Sequence, residues 1–162
     1  MRTISSVVRV AVIVSGLGFA PGTAFAQTQH ILVPADKVQW APAPPILPAG
    51  AQIAVLEGNP AEKGPIVMRL KFPANYTVPA HWHSMAERLT VLSGSFHAGM
   101  GDKVDRKATQ TLEPGGFVML PAKMHHFAWT SAPTVVQITL EGPFDLFYVN
   151  PADNPQQKTT GQ

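Results

Sequence analysis

The amino-acid sequence predicts an all-β domain, either a β-sandwich or a closed β-barrel. Short apolar runs of strand length follow one another from Ala51 onward, separated by turn residues such as Gly58-Asn59-Pro60 and Gly101-Asp102. They include residues 66–72, 96–100, 109–112, 117–120 and 135–141. No helical periodicity extends beyond the N-terminal segment, and strands at this spacing are typical of sandwiches and barrels. The 162 residues include no cysteine, so the domain must be stabilised by its core and not by disulfides.

The first 26 residues have the features of a signal peptide. Arg2 and Arg9 form a basic region, Val10 to Ala20 an apolar segment, and Ala24-Phe25-Ala26 a cleavage signal of small residues. The apolar segment is shorter than the ~20 residues that span a bilayer, so we expect cleavage after Ala26 and no stable membrane anchor. Because no Arg-Arg pair is present, the signal is of the Sec type and predicts a periplasmic or secreted protein.

The rest of the chain fits one domain with two flanking segments. Residues 27–50 form a proline-rich arm, residues 51–150 the β-barrel and residues 151–162 a polar tail. The arm is expected either to pack on the barrel or to be a loosely ordered terminus, and the alternation of Val38 and Trp40 favours packing. Cleavage would leave ten basic and ten acidic residues with no basic run, so nucleic acid is not an expected partner.

The residues that point to chemistry begin at a pair of closely spaced histidines. His81 and His83 are two residues apart, so in an extended strand both side chains point to the same face. Ser84 to Ala86 give the chain room to turn, and Glu87 opens the next alternating segment. Imidazole and carboxylate are ligands of borderline divalent metals, so the sequence predicts a metal site that one further ligand would complete.

A second segment, about forty residues later, supplies candidates for that ligand. Gly115 and Gly116 precede a short apolar run, Pro121 ends it, and adjacent His125 and His126 begin the next run. Adjacent residues of a strand point to opposite faces, so only one of the two histidines can easily join the site. The strand pattern alone leaves open which one does.

The two segments together resemble the cupin family. His81, His83, Glu87 and Gly94 match its first motif, and Gly115, Pro121 and His126 match its second motif. The chain departs from the motifs at Asn75 and Lys123, which replace glycines, and at Thr130, which replaces an asparagine. None of these departures removes a motif histidine or the motif glutamate.

The resemblance implies a small single-domain cupin with the double-stranded β-helix, or jelly-roll barrel. It also implies that the metal ligands are His81, His83, Glu87 and His126, with His125 as the alternative to His126. The metal is expected to be a divalent transition metal such as Fe, Mn, Zn, Ni or Cu. The same fold and ligands support unrelated chemistries, so the ligands alone do not choose a reaction.

Three functions remain open on the sequence. The first is a metal-dependent oxygenase that acts on a small organic molecule, with no catalytic residue assigned beyond the metal site. The second is a non-catalytic module that binds a metal or small ligand, and the third is a metal-dependent sugar-type isomerase or lyase. Cupins commonly pair through a sheet edge, so the resemblance also implies a homodimer.

Other candidate residues have simpler structural explanations. His97 is expected on the surface or in a hydrogen bond, and Lys123 in a solvated turn, although a lysine there could attract an anionic substrate. Trp82 and Trp129 differ in strand parity from the neighbouring histidines, so both are expected to pack elsewhere.

Overall fold

The computed structural model describes residues 30–158, which form a β-barrel of two antiparallel sheets. The strands are β1 Ala41–Pro42, β2 Gln52–Glu57, β3 Gly64–Phe72, β4 Thr77–Trp82, β5 Glu87–Ser93, β6 Phe96–Met100, β7 Thr109–Leu112, β8 Phe117–Leu120, β9 His126–Thr130, β10 Thr134–Gly142 and β11 Phe147–Tyr148. The described part of the chain also contains short 3₁₀-helices at Ala35–Lys37, Arg106–Ala108 and Pro151–Asp153, and one α-helical turn, α1, at Pro155–Lys158.

The strand order is that of a jelly roll. One sheet runs β1-β2-β3-β10-β5-β8 and the other β11-β4-β9-β6-β7, so strands adjacent in the chain repeatedly pass from one sheet to the other. The predicted all-β jelly-roll barrel is therefore confirmed. The predicted signal peptide, residues 1–26, lies outside the described residues. No helix in the described range is long and apolar enough to cross a membrane.

The core lies between the two sheets and follows from alternation along the longest strands. In β3, Ile66, Met68 and Leu70 are buried, and the residues between them are partly exposed. In β10, Val136 pairs with Leu70 and Ile138 with Met68, and directly paired residues point to the same face. The apolar runs that predicted the strands thus form one continuous core.

The second half of the proline-rich arm, from Trp40 to Pro48, packs on the barrel. Its strand β1 pairs with β2, while the Tyr76 hydroxyl donates to Pro48 O (2.5 Å) and the Tyr148 hydroxyl to Ile46 O (2.7 Å). Leu47 is buried and reaches the barrel interior. Of the two alternatives, the packed arm is therefore the correct one, although its strand is Ala41–Pro42 and does not include Val38 or Trp40.

The C-terminal segment is more regular than its polar composition suggests. Asn150 and Asn154 accept hydrogen bonds from the backbone N–H groups of Ala152 (3.1 Å) and Gln156 (3.0 Å), as side chains that cap short helices do. The described part of the predicted polar tail, residues 151–158, therefore holds two short helical turns.

Candidate metal centre

The end of β4 and the bend after it position the two histidines of the first motif. His81 is the penultimate residue of β4, and His83 follows its last residue, Trp82. Trp82 points away from both and stacks on Phe147 with ring centroids 4.4 Å apart. The predicted alternation therefore holds, and both histidines are buried while Trp82 packs elsewhere.

A carboxylate that the sequence analysis missed stabilises the bend between His83 and Glu87. Asp145 accepts hydrogen bonds from the Ser84 backbone N–H (2.8 Å) and from the Ser84 hydroxyl. Its own backbone carbonyl accepts a hydrogen bond from Nδ1 of His83 at 2.5 Å. Asp145 lies in the connection between β10 and β11, far from the motifs in sequence, and no spacing pattern in the sequence could have identified it.

The side chains of both motifs meet inside the barrel. One ring nitrogen from each of His81, His83 and His126 lies within 4.8 Å of the other two. The carboxylate of Glu87 joins them, with Oε2 3.5 Å from His83 Nε2 and 3.6 Å from His126 Nε2. All four residues are no more than 5% exposed. The structure thus brings together the four residues that the cupin resemblance identified.

Backbone carbonyls fix the orientation of all three imidazole rings. Nδ1 of His81 bonds to Pro79 O (2.7 Å) and Nδ1 of His126 to Met124 O (2.9 Å), while His83 uses Asp145 O. A carbonyl oxygen only accepts, so each Nδ1 must carry the proton. In a neutral ring this leaves the Nε2 lone pair facing the other three side chains, which is the arrangement of a metal-ligating histidine.

Burial and mutual charge set the protonation of the cluster. Burial, with smaller contributions from His126 and His83, lowers the pKa of His81 to about 3, so this ring is neutral at neutral pH. Burial would raise the pKa of Glu87, but the adjacent His126 and His83 outweigh it and hold that pKa well below its usual range. Burial would lower the pKa of His83, but Glu87 outweighs it and raises that pKa. The cluster therefore contains a buried carboxylate anion.

These residues fit a bound metal cation. Nε2 of His83 is a buried nitrogen that makes no hydrogen bond of normal geometry among the described residues, and Glu87 Oε2, 3.5 Å away, interacts with it through its charge. Buried polar atoms are normally paired, and an unpaired one is costly. A divalent cation ligated by the imidazole nitrogens and the carboxylate would satisfy the cluster, and this donor set suits Fe, Mn, Zn, Ni and Cu.

The cluster lies in a small and strongly apolar cavity of about 50 Å³, room for about three or four water molecules. Of the 18 residues that line it, 14 are apolar, and the other four are His81, His83, Glu87 and His126. The centre is therefore shielded from bulk water.

The remaining histidines of the barrel lie outside the cluster. His125 is partly exposed and its Nδ1 is 2.7 Å from Asp102 Oδ1. Of the two adjacent histidines, the structure places His126 in the cluster. His97 stacks on Trp129 with ring centroids 3.7 Å apart, and its two ring nitrogens form hydrogen bonds with Thr111 and Ser131. His97 is therefore a surface histidine whose ring nitrogens are both paired.

The two glycine positions at which the chain departs from the cupin motifs have left-handed backbones. Asn75 has φ 59° and Lys123 has φ 64°, the two positive values among the described non-glycine residues. Lys123 is exposed, and its backbone N–H donates to His83 O at 2.7 Å. Its turn thus connects the two motifs through the backbone while its side chain does not line the cavity.

The fold and the cluster define a single-domain cupin with a buried three-histidine, one-carboxylate centre. The sequence matches the model of the ChrR cupin-like domain over residues 28–145, so the chain belongs to that family. No curated protein matches the sequence.

Several solved structures share the fold at low sequence identity. A putative acetylacetone dioxygenase from Methylibium petroleiphilum PM1 aligns with a TM-score of 0.61 and 20% identity, over 81% of this chain and 88% of its own. The polyketide cyclase RemF from Streptomyces resistomycificus aligns with a TM-score of 0.59 and 16% identity, over 82% of this chain and 94% of its own. An RmlC-like cupin from Shewanella frigidimarina NCIMB 400 aligns with a TM-score of 0.55 and 17% identity, over 72% of this chain and 94% of its own.

Proposed function

We propose that the protein is an exported metal-dependent cupin enzyme, an oxygenase that acts on a small organic molecule. Its metal ligands are His81, His83, Glu87 and His126. The observation that carries the proposal is the buried Nε2 of His83, which makes no hydrogen bond of normal geometry and faces a carboxylate and two further imidazoles in a small apolar cavity. Such a group is costly to bury unless a cation completes it.

A bound transition metal would supply Lewis acidity and, if redox-active, the means to activate dioxygen. The chain's own residues hold and shield the site. The three Nδ1–carbonyl hydrogen bonds fix the imidazole rings, and Glu87 contributes the negative charge. The four side chains are almost completely buried among apolar groups, and this low-dielectric surrounding strengthens the electrostatic interactions within the cavity.

Two other functions are the alternatives. A non-catalytic module would hold a metal or small ligand with the same four residues. A sugar-type isomerase or lyase would need a side chain to move protons on its substrate, yet the cavity lining has no titratable group beyond the four candidate ligands. That lining favours the oxygenase or the binding module.

Metal analysis followed by oxygen-uptake assays separates the three functions. The full chain is expressed with its N-terminal segment and purified from the periplasm, and its metal content is measured before candidate substrates are added. Bound iron or another redox metal with substrate-dependent oxygen consumption supports the oxygenase. Tightly bound metal without turnover supports the binding module, and turnover without oxygen uptake supports the isomerase or lyase.

Location and assembly are further parts of the proposal. Residues 1–26 support export, and the metal would then be acquired outside the cytoplasm, so its identity would reflect supply as well as ligand preference. A homodimer is proposed from the cupin resemblance, because cupin barrels commonly pair through a sheet edge. The solution mass of the purified protein tests it, and a monomer mass would contradict it.

A further inference from the structure

Apolar side chains stand directly beside the candidate ligands. Leu120 is paired across the strands with Glu87, and cross-strand partners point to the same face, so its buried side chain lies next to the carboxylate. Met100 is paired in the same way with His126. All of these residues line the cavity.

The neighbourhood of the other two histidines is equally poor in free polar groups. Phe144 packs on His83 with ring centroids 5.3 Å apart. Tyr148 is paired with His81, but its hydroxyl already donates to Ile46 O at 2.7 Å. The described lining therefore offers a ligand no side-chain hydrogen-bond partner beyond the four candidate metal ligands.

We infer that the substrate is a compact molecule whose one polar group binds at the His/Glu cluster and whose remainder is hydrocarbon. This inference rests on the proposed metal site and adds the substrate class to it. A sugar, or a molecule with a second charged group, would bury hydroxyls or a charge against Leu120 and Phe144 without a partner. Each such group weakens binding by about tenfold or more.

Leu120 is the specificity-determining residue in this arrangement. It is 4% exposed and lies beside Glu87, so any atom that extends from the polar group of a bound molecule toward β8 meets its side chain. A side chain of similar size that carries an amide would give a substrate hydroxyl the partner that leucine denies it.

A pair of isosteric probes tests the inference by binding alone. Propionohydroxamic acid and glycolohydroxamic acid share the chelating head group and differ in a terminal methyl or hydroxyl. After the metal content of the purified protein has been measured, both are titrated into it by isothermal calorimetry. We expect propionohydroxamic acid to bind about tenfold more tightly or better.

Two variants locate the effect. Leu120→Asn should reduce the ratio of the two affinities by about tenfold, because the amide can pair with the hydroxyl. Met119→Asn is the matched control on the same strand, since Met119 is exposed and does not line the cavity, and it should leave the ratio unchanged.

The outcomes distinguish the inference from the function on which it rests. Protein without bound metal would overturn both. Metal-loaded protein that binds glycolohydroxamic acid equally or more tightly would overturn the substrate class alone. A folded Leu120→Asn variant with the wild-type ratio, or a Met119→Asn variant with an equal change, would overturn the role of Leu120.

Discussion

Replacing Gly94 with alanine should destabilise the barrel by two separable effects. Gly94 ends the first motif and follows β5, and its φ of +81° lies in the region that L-residues avoid. A Cβ there would lie 2.3 Å from Pro133 O and 2.7 Å from Thr134 Cα. Both are backbone atoms, so no side-chain rotation could relieve the overlap, and the start of β10 would have to move.

The magnitude follows from these two effects. The left-handed backbone costs an L-residue about 1–2 kcal/mol, and forced displacement in a packed region costs about 1–3 kcal/mol. Gly94→Ala should therefore lower the free energy of unfolding by about 2–5 kcal/mol. Gly115 has a similar φ, +89°, but nothing lies within 4 Å of an added Cβ. Gly115→Ala should show only the backbone effect, about 1–2 kcal/mol.

Urea denaturation of the metal-free wild type and both variants measures the difference. Gly94→Ala should lose about 1–3 kcal/mol more of its free energy of unfolding than Gly115→Ala, with no change in how steeply that free energy falls with urea concentration. Equal losses in the two variants would refute the steric explanation. A larger loss for Gly115→Ala would refute the assignment of Gly94 as the glycine that the packing of β5 and β10 requires.

Three further predictions concern the turn and the histidines. Lys123→Gly removes the cost of holding a lysine in the left-handed backbone region, and the greater unfolded-state entropy of glycine offsets part of that gain. The free energy of unfolding should rise by about 0.5–1 kcal/mol, and a decrease measured by denaturation would contradict this. Burial, His126 and His83 lower the pKa of His81 to about 3, below its ordinary 6.5, so the unfolded chain binds a proton that the folded chain does not. As the pH falls from about 6.5 to about 3, the free energy of unfolding of the metal-free wild type should therefore decrease more steeply than that of metal-free His81→Gln, by about 1.4 kcal/mol per pH unit. Denaturation at a series of pH values measures both slopes, and equal slopes would refute the prediction. His126→Ala should lose metal while His125→Ala retains it, and the reverse result in metal analysis would move the ligand to His125.

The sequence predicted the barrel well because its strands are bounded by residues with local chemical reasons to turn. The runs Phe96–Met100, Thr109–Leu112 and Phe117–Leu120 were predicted at their observed bounds. Others, such as β3 and β10, extend by one or two residues beyond the predicted runs, because pairing in the middle of the sheet continues past the apolar residues. The jelly-roll barrel came from the family resemblance, and the order of strands within the two sheets required the structure, since pairing partners far apart in sequence leave no local signal.

The candidate centre was predictable only in part. The spacing of His81 and His83 placed two imidazoles on one face, and the cupin resemblance favoured His126 over His125. The supporting contacts of Asp145 were not predictable, because they join residues about sixty positions apart through a loop without a motif. The apolar character of the cavity also required the structure, since the sequence does not tell which of its many apolar residues face inward.

The metal content of His83→Ala tests the central claim most directly. His83 contributes the unpaired Nε2, and its removal takes away one candidate ligand while Leu120, Phe144 and the rest of the barrel remain. We expect wild-type protein to retain one transition-metal ion after dialysis and the variant to lose most of it, with unchanged far-ultraviolet circular dichroism. A folded variant with the metal content of the wild type would contradict the assignment of this cluster as the metal centre.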